Sequence, residues 1–233
     1  MCPHDSCIQV NAVLLLGHRG ARLYAAENTL ESFELALLHG CDGFEFDVRC
    51  TADGCAVICH DPQLARLPVD RTPLARLRDL CPDLTTLDEV LARFAARAYL
   101  YIELKTSGLE DLLLAALAAH PPGRGYLVAS FLPEVLAAVH ARDASIPLGY
   151  NCYDPRLLDE WRRLPIGTVM PHWRLAADGV IDAVHGAGKQ VFVWTVNNER
   201  PMRRLAASGV DAIISDDTRL LVRTLRALSA KQV

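Results

Sequence analysis

The stretch Gly43-Phe44-Glu45-Phe46-Asp47-Val48-Arg49-Cys50-Thr51-Ala52-Asp53-Gly54-Cys55-Ala56-Val57-Ile58-Cys59-His60-Asp61 decides the fold. Gly43–Val48 reads as a strand, and Cys55–His60 as a second one directly after it. Asp-Gly between two β-like runs is a hairpin signal, because the turn requires positive φ. A parallel crossover does not fit into so few residues. The second run is therefore expected to lie antiparallel to the end of the first. A two-residue turn at Asp53-Gly54 pairs positions whose numbers sum to 107 and sets Asp47 opposite His60, on one face.

Outward from this hairpin, the chain alternates without a repeat or a low-complexity tract. Strand-like runs fall at Ala12–Leu16, Gly43–Val48, Ala98–Leu104, Tyr126–Ala129, Ile146–Tyr150, Ile166–Met170, Gln190–Val196 and Asp211–Ser215. Helical periodicity fits roughly 29–39, 86–97, 109–119, 132–142, 155–163, 175–187, 199–208 and 217–229. Such alternation implies parallel βαβ units with the helices outside. At 233 residues the natural closure is an α/β (β/α)8 barrel, a TIM barrel. The hairpin is an extension after its second strand. The whole chain, 1–233, is expected to form a single domain with a short cap over about 62–85. The alternative is a doubly wound open sheet, but no GxGxxG follows the first strand.

The composition excludes several classes. The net charge is -4, which opposes a dedicated nucleic-acid binder, since such proteins need a cationic footprint. No apolar run approaches the roughly 18 residues of a membrane span. The start of the chain lacks a basic segment followed by a long apolar one, so a cytoplasmic location is expected. The 8 cysteines include no CxxC pair, and a chain of this size needs no staples, so free thiols are expected. Only three of the 24 basic residues are lysines, and Lys105 stands out inside an apolar strand-like run.

Barrel active sites form at strand C-termini, and the polar exceptions of this sequence fall there. Strand one ends in His18-Arg19. Strand two carries Glu45 and Asp47 on one face, and the hairpin ends in His60-Asp61. Strand three carries Glu103 and Lys105, and strand seven ends in Trp194-Thr195. Buried carboxylates that converge require a cation. Glu45, Asp47 and Glu103 suit a hard divalent ion, Mg2+ or Ca2+, better than zinc. Arg19 and Lys105 beside that ion describe a socket for an anion such as a phosphoryl group. His18 and His60 are the groups that exchange protons near neutrality. Blander roles compete residue by residue: a strand's solvent face for Glu45 and Asp47, an ion pair for Glu103 with Lys105, core packing for His18 and Trp194. Asn28 reads first as a helix cap at the start of Asn28-Thr29-Leu30-Glu31, and as a minor candidate for the site. His172, after the sixth strand, is a minor candidate for the site's lining.

Gly17-His18-Arg19-Gly20-Ala21, Glu27-Asn28-Thr29, Phe44-Glu45-Phe46-Asp47-Val48, Thr51-Ala52-Asp53-Gly54 and His60-Asp61-Pro62 occur in this order. They are followed by Thr86-Leu87-Asp88-Glu89-Val90-Leu91, Ile102-Glu103-Leu104-Lys105, Val193-Trp194-Thr195-Val196-Asn197 and Gly209-Val210-Asp211. In order and spacing the chain resembles the glycerophosphodiester phosphodiesterase family, of the phospholipase C-like phosphodiesterase barrels. The resemblance implies hydrolysis of glycerophosphodiesters to sn-glycerol 3-phosphate and an alcohol. It implies one divalent metal ion on Glu45, Asp47 and Glu103, with His18 and His60 as acid and base. It also implies Arg19 and Lys105 on the phosphate and Glu27 close to metal and substrate. In the family the neighbouring glycerol hydroxyl attacks phosphorus first, and water opens the cyclic phosphate. Only 42 residues separate His60 from Glu103, so the family's insertion is short here. Ala26 replaces the usual Pro, and Ser215-Asp216-Asp217-Thr218 lacks the usual one.

Two other functions compete. A lysophospholipase D-like enzyme would use the same site and predicts an apolar channel near the short cap. A non-catalytic phosphodiester-binding barrel would not need two proton-transfer groups, which counts against it.

Overall fold

The computed structural model describes residues 13–229. Eight parallel strands close a barrel: β1 (Leu14–Gly17), β2 (Gly43–Cys50), β6 (Tyr99–Leu104), β7 (Tyr126–Ser130), β8 (Leu148–Cys152), β9 (Thr168–Pro171), β10 (Gln190–Val193) and β11 (Ala212–Ser215). β1 pairs with both β2 and β11, which closes the ring. The expected (β/α)8 architecture is present, and the doubly wound alternative is excluded. The numbering gap is filled by the hairpin strand β3 (Ala56–Ile58) and a small two-stranded ribbon, β4 (Gln63–Leu64) with β5 (Leu67–Pro68). The first expected strand begins at Ala12, which lies outside the described residues.

The alternation of side chains along each strand builds two apolar layers. Phe44 and Phe46 point outward, against Phe33 of helix α1 (Leu30–Leu38) and Phe94 of α3 (Leu87–Phe94). Phe33 stacks on Phe44 with centroids 4.3 Å apart, and Phe94 meets Phe44 edge-on at 5.1 Å, the favoured aromatic geometries. Inward residues form a separate plug of Leu16, Tyr101, Leu127, Met170, Phe192 and Ile214. Position i+2 from an outward Phe is therefore outward, and the residue between them looks into the barrel. Glu45 and Asp47 are such intermediate residues.

Helix α2 (Leu74–Leu80) belongs to the cap. The outer helices are α1 and α3, then α4 (Glu110–Ala119), α5 (Pro133–Arg142), α6 (Asp178–Gly186), α7 (Glu199–Ala207) and α8 (Thr218–Ser229). The expected helix over 155–163 is instead a 3-10 run, Pro155–Arg163. Among the described residues the six cysteines are free thiols, as expected; Cys2 and Cys7 lie outside them. No helix among these residues is long and apolar enough to cross a membrane.

The hairpin corrects one expectation. β2 and β3 pair as Val48 with Ile58, Arg49 with Val57 and Cys50 with Ala56, so the numbers sum to 106, not 107. The loop has three residues, not two. Thr51 N–H donates to the Cys55 carbonyl at 2.9 Å, and Gly54 closes the turn at φ +78°. Asp53 has another use: its carboxylate accepts from Thr51 Oγ1 at 2.6 Å and from Leu74 N–H, at the start of α2, at 3.0 Å. Asp47 therefore faces Cys59, whose N–H donates to the Asp47 carbonyl at 2.9 Å. His60 lies one residue beyond that contact, where the chain turns over the barrel mouth.

Candidate active site

Six residues expected at strand ends share one cavity at the C-terminal mouth, of about 70 Å³: His18, Arg19, Glu45, Asp47, Glu103 and Lys105. His60, Trp194, Tyr101, Phe131 and Ile214 complete its lining. The strand register makes this so. Asp47 is level with Glu103, and Glu45 with Tyr101, on adjacent parallel strands. Glu45, Asp47 and Glu103 are 2%, 1% and 7% exposed. Each offers an oxygen, and these lie within 4.8 Å of one another.

Three buried carboxylates at that spacing repel one another, and the protein distributes the strain unequally. Burial pushes Glu45 well above the usual carboxylate range, and Asp47 and Glu103 push it further. Burial, then Asp47, raises Glu103 to about 7, against the pull of Lys105. Burial also favours the neutral form of Asp47, but Lys105, Arg19 and the Asn28 amide outweigh it, so its carboxyl is held below the usual range. Lys105 Nζ is 3.3 Å from Asp47 Oδ1 and hydrogen-bonded to Glu103; Arg19 Nε is 3.3 Å from Asp47 Oδ2. Glu45 Oε1 is buried with no hydrogen-bond partner. An orphaned carboxylate oxygen beside two more acids fits a hard divalent cation, whose ligands are oxygens.

The β1–α1 loop presents the cationic side. Arg19 and Asn28 both occupy the left-handed region, at φ 53° and 58°, which non-glycine residues adopt where surrounding contacts enforce it. Those contacts are visible. Arg19 N–H donates to Glu45 Oε2 at 2.8 Å, and Asn28 N–H to the Arg19 carbonyl at 3.1 Å. Gly20, at φ +81°, packs so closely on Ser32 that a Cβ would lie 2.4 Å from its Oγ. Asn28 is not the helix cap expected of it. Thr29 caps α1, in a capping box with Ser32. Asn28 instead donates from Nδ2 to Asp47 Oδ2 at 2.9 Å and accepts the Asp47 N–H at 3.3 Å, fixing that carboxylate.

Glu27 is brought in through arginines. It binds Arg19 Nη1 at 2.8 Å and Arg22 Nη2 at 2.9 Å. Trp194 forms the opposite wall, its indole N–H donating to the Met170 carbonyl at 2.7 Å and its ring edge-on to Phe131. His172 is not in the cavity lining but backs Trp194, with centroids 5.5 Å apart.

Sequence reasoning missed the supporting roles of Asp216, Asn197, Tyr101 and Asn151. Asp216 Oδ1 lies 2.7 Å from His18 Nδ1, which leaves His18 Nε2 facing Glu45 at 3.9 Å. Asp216 is itself held by the Asn197 amide. Burial lowers the His18 pKa below its ordinary value, partly offset by Asp216. On the other side His60 Nδ1 contacts Asp61 Oδ1 at 2.7 Å. Beneath the acids, buried Tyr101 donates to Asn151 at 2.6 Å, and Asn151 donates to Glu103 Oε2 at 3.0 Å. Their only signal in the sequence is position: Asp216 follows β11, and Asn151 sits near the end of β8.

The barrel and the charge pattern at its mouth define a phosphoric diester hydrolase. The model of the Glycerophosphoryl diester phosphodiesterase family matches residues 18–220, and the chain belongs to that family. A glycerophosphodiester phosphodiesterase of Caldanaerobacter subterraneus subsp. tengcongensis is 27% identical over 91% of this chain and 98% of its own length. One from Bacillus subtilis is 28% identical over 88% of this chain and 83% of its own. Among solved structures, an Oleispira antarctica phosphodiesterase in complex with the product sn-glycerol-3-phosphate superposes with a TM-score of 0.82 at 26% identity, covering 92% of this chain and 97% of that one. The Thermotoga maritima glycerophosphodiester phosphodiesterase superposes at 0.80 and 25% identity, covering 91% and 97%.

Proposed function

We propose that the chain hydrolyses glycerophosphodiesters to sn-glycerol 3-phosphate and an alcohol, with one divalent cation, Mg2+ or Ca2+. The observation that carries this reading is the pairing of two histidines, each with a carboxylate on Nδ1, around one cavity that also holds three converging acids and two cations. Glu45, Asp47 and Glu103 would hold the ion. When bound, it supplies Lewis-acid polarisation of the phosphoryl oxygens.

The residues of the chain do the rest. Arg19 and Lys105 bind the phosphoryl oxygens and neutralise the charge that grows on them in the transition state. One histidine takes the proton of the adjacent glycerol hydroxyl as its oxygen bonds to phosphorus. The other gives a proton to the leaving alcohol oxygen as that P–O bond breaks. The roles then reverse: water loses a proton to the second histidine, bonds to phosphorus, and the ring oxygen leaves with the proton held by the first. Asp216 and Asp61 fix the ring orientations. Trp194 and Phe131 wall the glycerol side, with Glu27 steadying Arg19.

The lysophospholipase D-like alternative predicts an apolar channel by the cap. The cavity there mixes charged and hydroxyl groups, Arg49, Asp70, Thr106 and Ser107, with apolar Cys50, Pro62 and Val69, and its charged pair favours a polar leaving group. The test is release of sn-glycerol 3-phosphate from glycerophosphocholine with Mg2+ or Ca2+. Activity that survives EDTA or His18→Ala defeats this mechanism.

A further inference from the structure

Arg49 is the next residue after Glu45 and Asp47 on the same face of β2, one step further out of the barrel. Among the described residues, three arginines are not exposed: Arg19, Arg49 and Arg78. Arg19 and Arg78 each bind a carboxylate. Arg49 binds none; its Nε donates to the His60 carbonyl at 2.9 Å, which fixes the plane of the guanidinium and leaves its terminal nitrogens unmatched. A half-buried guanidinium that pairs directly with no carboxylate, and only lowers the Asp61 pKa from a distance, leaves a fork of donors suited to one.

This group lines a cavity of about 380 Å³ between the hairpin, the cap and the end of β6. Arg49, in its wall, is tied to the active site through its hydrogen bond to the His60 carbonyl. Pro62 in its wall follows Asp61, and Thr106 follows Lys105. The cap contributes Asp70, on a 3-10 turn (Val69–Arg71) that is tied down by Val69 N–H to Pro62 and by Ala52 N–H to Thr72. Arg49 and Asp70 thus carry opposite charges in one cavity, yet no ion pair joins them. The space between them suits a ligand that carries both charges. Thr106 and Ser107 add hydroxyls.

We propose that this cavity is the leaving-group subsite, and that it selects an amino-acid-like leaving alcohol, with its carboxylate on Arg49 and its ammonium on Asp70. The inference rests on the hydrolysis proposed above and concerns only which alcohol departs. The bond broken is still the P–O bond to that alcohol, whose oxygen takes its proton from a histidine.

The test measures kcat/KM for glycerophosphoserine, glycerophosphoglycerol and glycerophosphocholine with the Mg2+-loaded full chain. The readout is the ratio of serine to glycerol diester within each preparation, so any general loss from a disturbed His60 cancels. The expected wild-type ratio is about tenfold in favour of serine. Arg49→Gln brings it close to one, and Asp70→Asn, at an exposed position, lowers it several-fold. A wild-type ratio near one, or a ratio that neither variant moves, overturns the subsite while leaving the hydrolase reading intact. A preference for the choline ester that only Asp70→Asn abolishes overturns the role of Arg49. Failure to cleave any of the three esters overturns the hydrolase reading itself, and the subsite with it.

Discussion

Glu45 shows what the site costs the fold. Its Oε1 has no partner, and Asp47 and Glu103 crowd it. A carboxylate whose folded pKa is raised keeps protons that the unfolded chain has lost, so it stabilises the metal-free protein less as pH rises through the window from its ordinary value to its folded one. Glu45→Gln is expected to raise metal-free stability at pH 8 by on the order of 1–3 kcal/mol, read by denaturant unfolding in EDTA. The same variant should lose at least about a hundredfold in kcat/KM if a bound cation contributes several kcal/mol to the transition state. Asp216 acts at the same scale through another residue. Asp216→Asn should lower kcat by about 10²–10⁴ with KM little changed, because an amide oxygen or nitrogen at 2.7 Å no longer selects one imidazole tautomer. Nitrogen-15 shifts of His18 should show Nδ1–H in the parent and a mixture in the variant; identical spectra would refute the positioning role. The sequence could expose His18 and Glu45 because polar residues in apolar strands are conspicuous. It could not expose Asp216, which is 198 positions from its partner, nor the hold of Asn28 on Asp47, which a capping pattern masks.

At the scale of elements, the hairpin was legible as a hairpin but not in its register. Asp-Gly is equally suited to a two-residue turn and to the end of a three-residue loop with Gly in the left-handed position. In the three-residue loop Asp53 takes the central position, where its carboxylate serves the N-terminus of α2. That contact belongs to the cap, and nothing local to the hairpin encodes it. Gly54 meets no atom within 4 Å, so a methyl group there faces only backbone strain. Gly54→Ala should cost about 1–2 kcal/mol, measured by chemical denaturation, and lower kcat more than KM, since the strand it anchors ends one turn from His60. An unchanged stability would show that the loop relaxes to another turn. The 3-10 run at Pro155–Arg163 was read as a regular helix because its apolar spacing is compatible with both periods.

For the whole molecule, the acidic net charge and the cationic side chains at the mouth are compatible because the charges are layered: acids below, Arg19 and Lys105 at the mouth. With Glu103 raised to about 7, protons compete with a cation below that pH. The concentration of Mg2+ that half-saturates the protein should therefore rise by up to roughly tenfold for each pH unit below 7, followed by calorimetry between pH 5.5 and 8. A flat dependence would show that Glu103 is already ionised without metal. Fold class was the most legible level, since alternation over the full length leaves few closures open. The layering was less so, because it depends on which strands are neighbours. β1 lies between β2 and β11, so His18 meets Asp216 only when the first and last strands have joined. During synthesis, a ribosome-bound chain that lacks β11 and Asp216 holds Glu45, Asp47, Glu103 and both histidines and still has no carboxylate to align His18. If His18 acts as proposed, a fragment that stops short of Asp216 is expected to release no sn-glycerol 3-phosphate, since barrel closure and catalysis then depend on the same last strand.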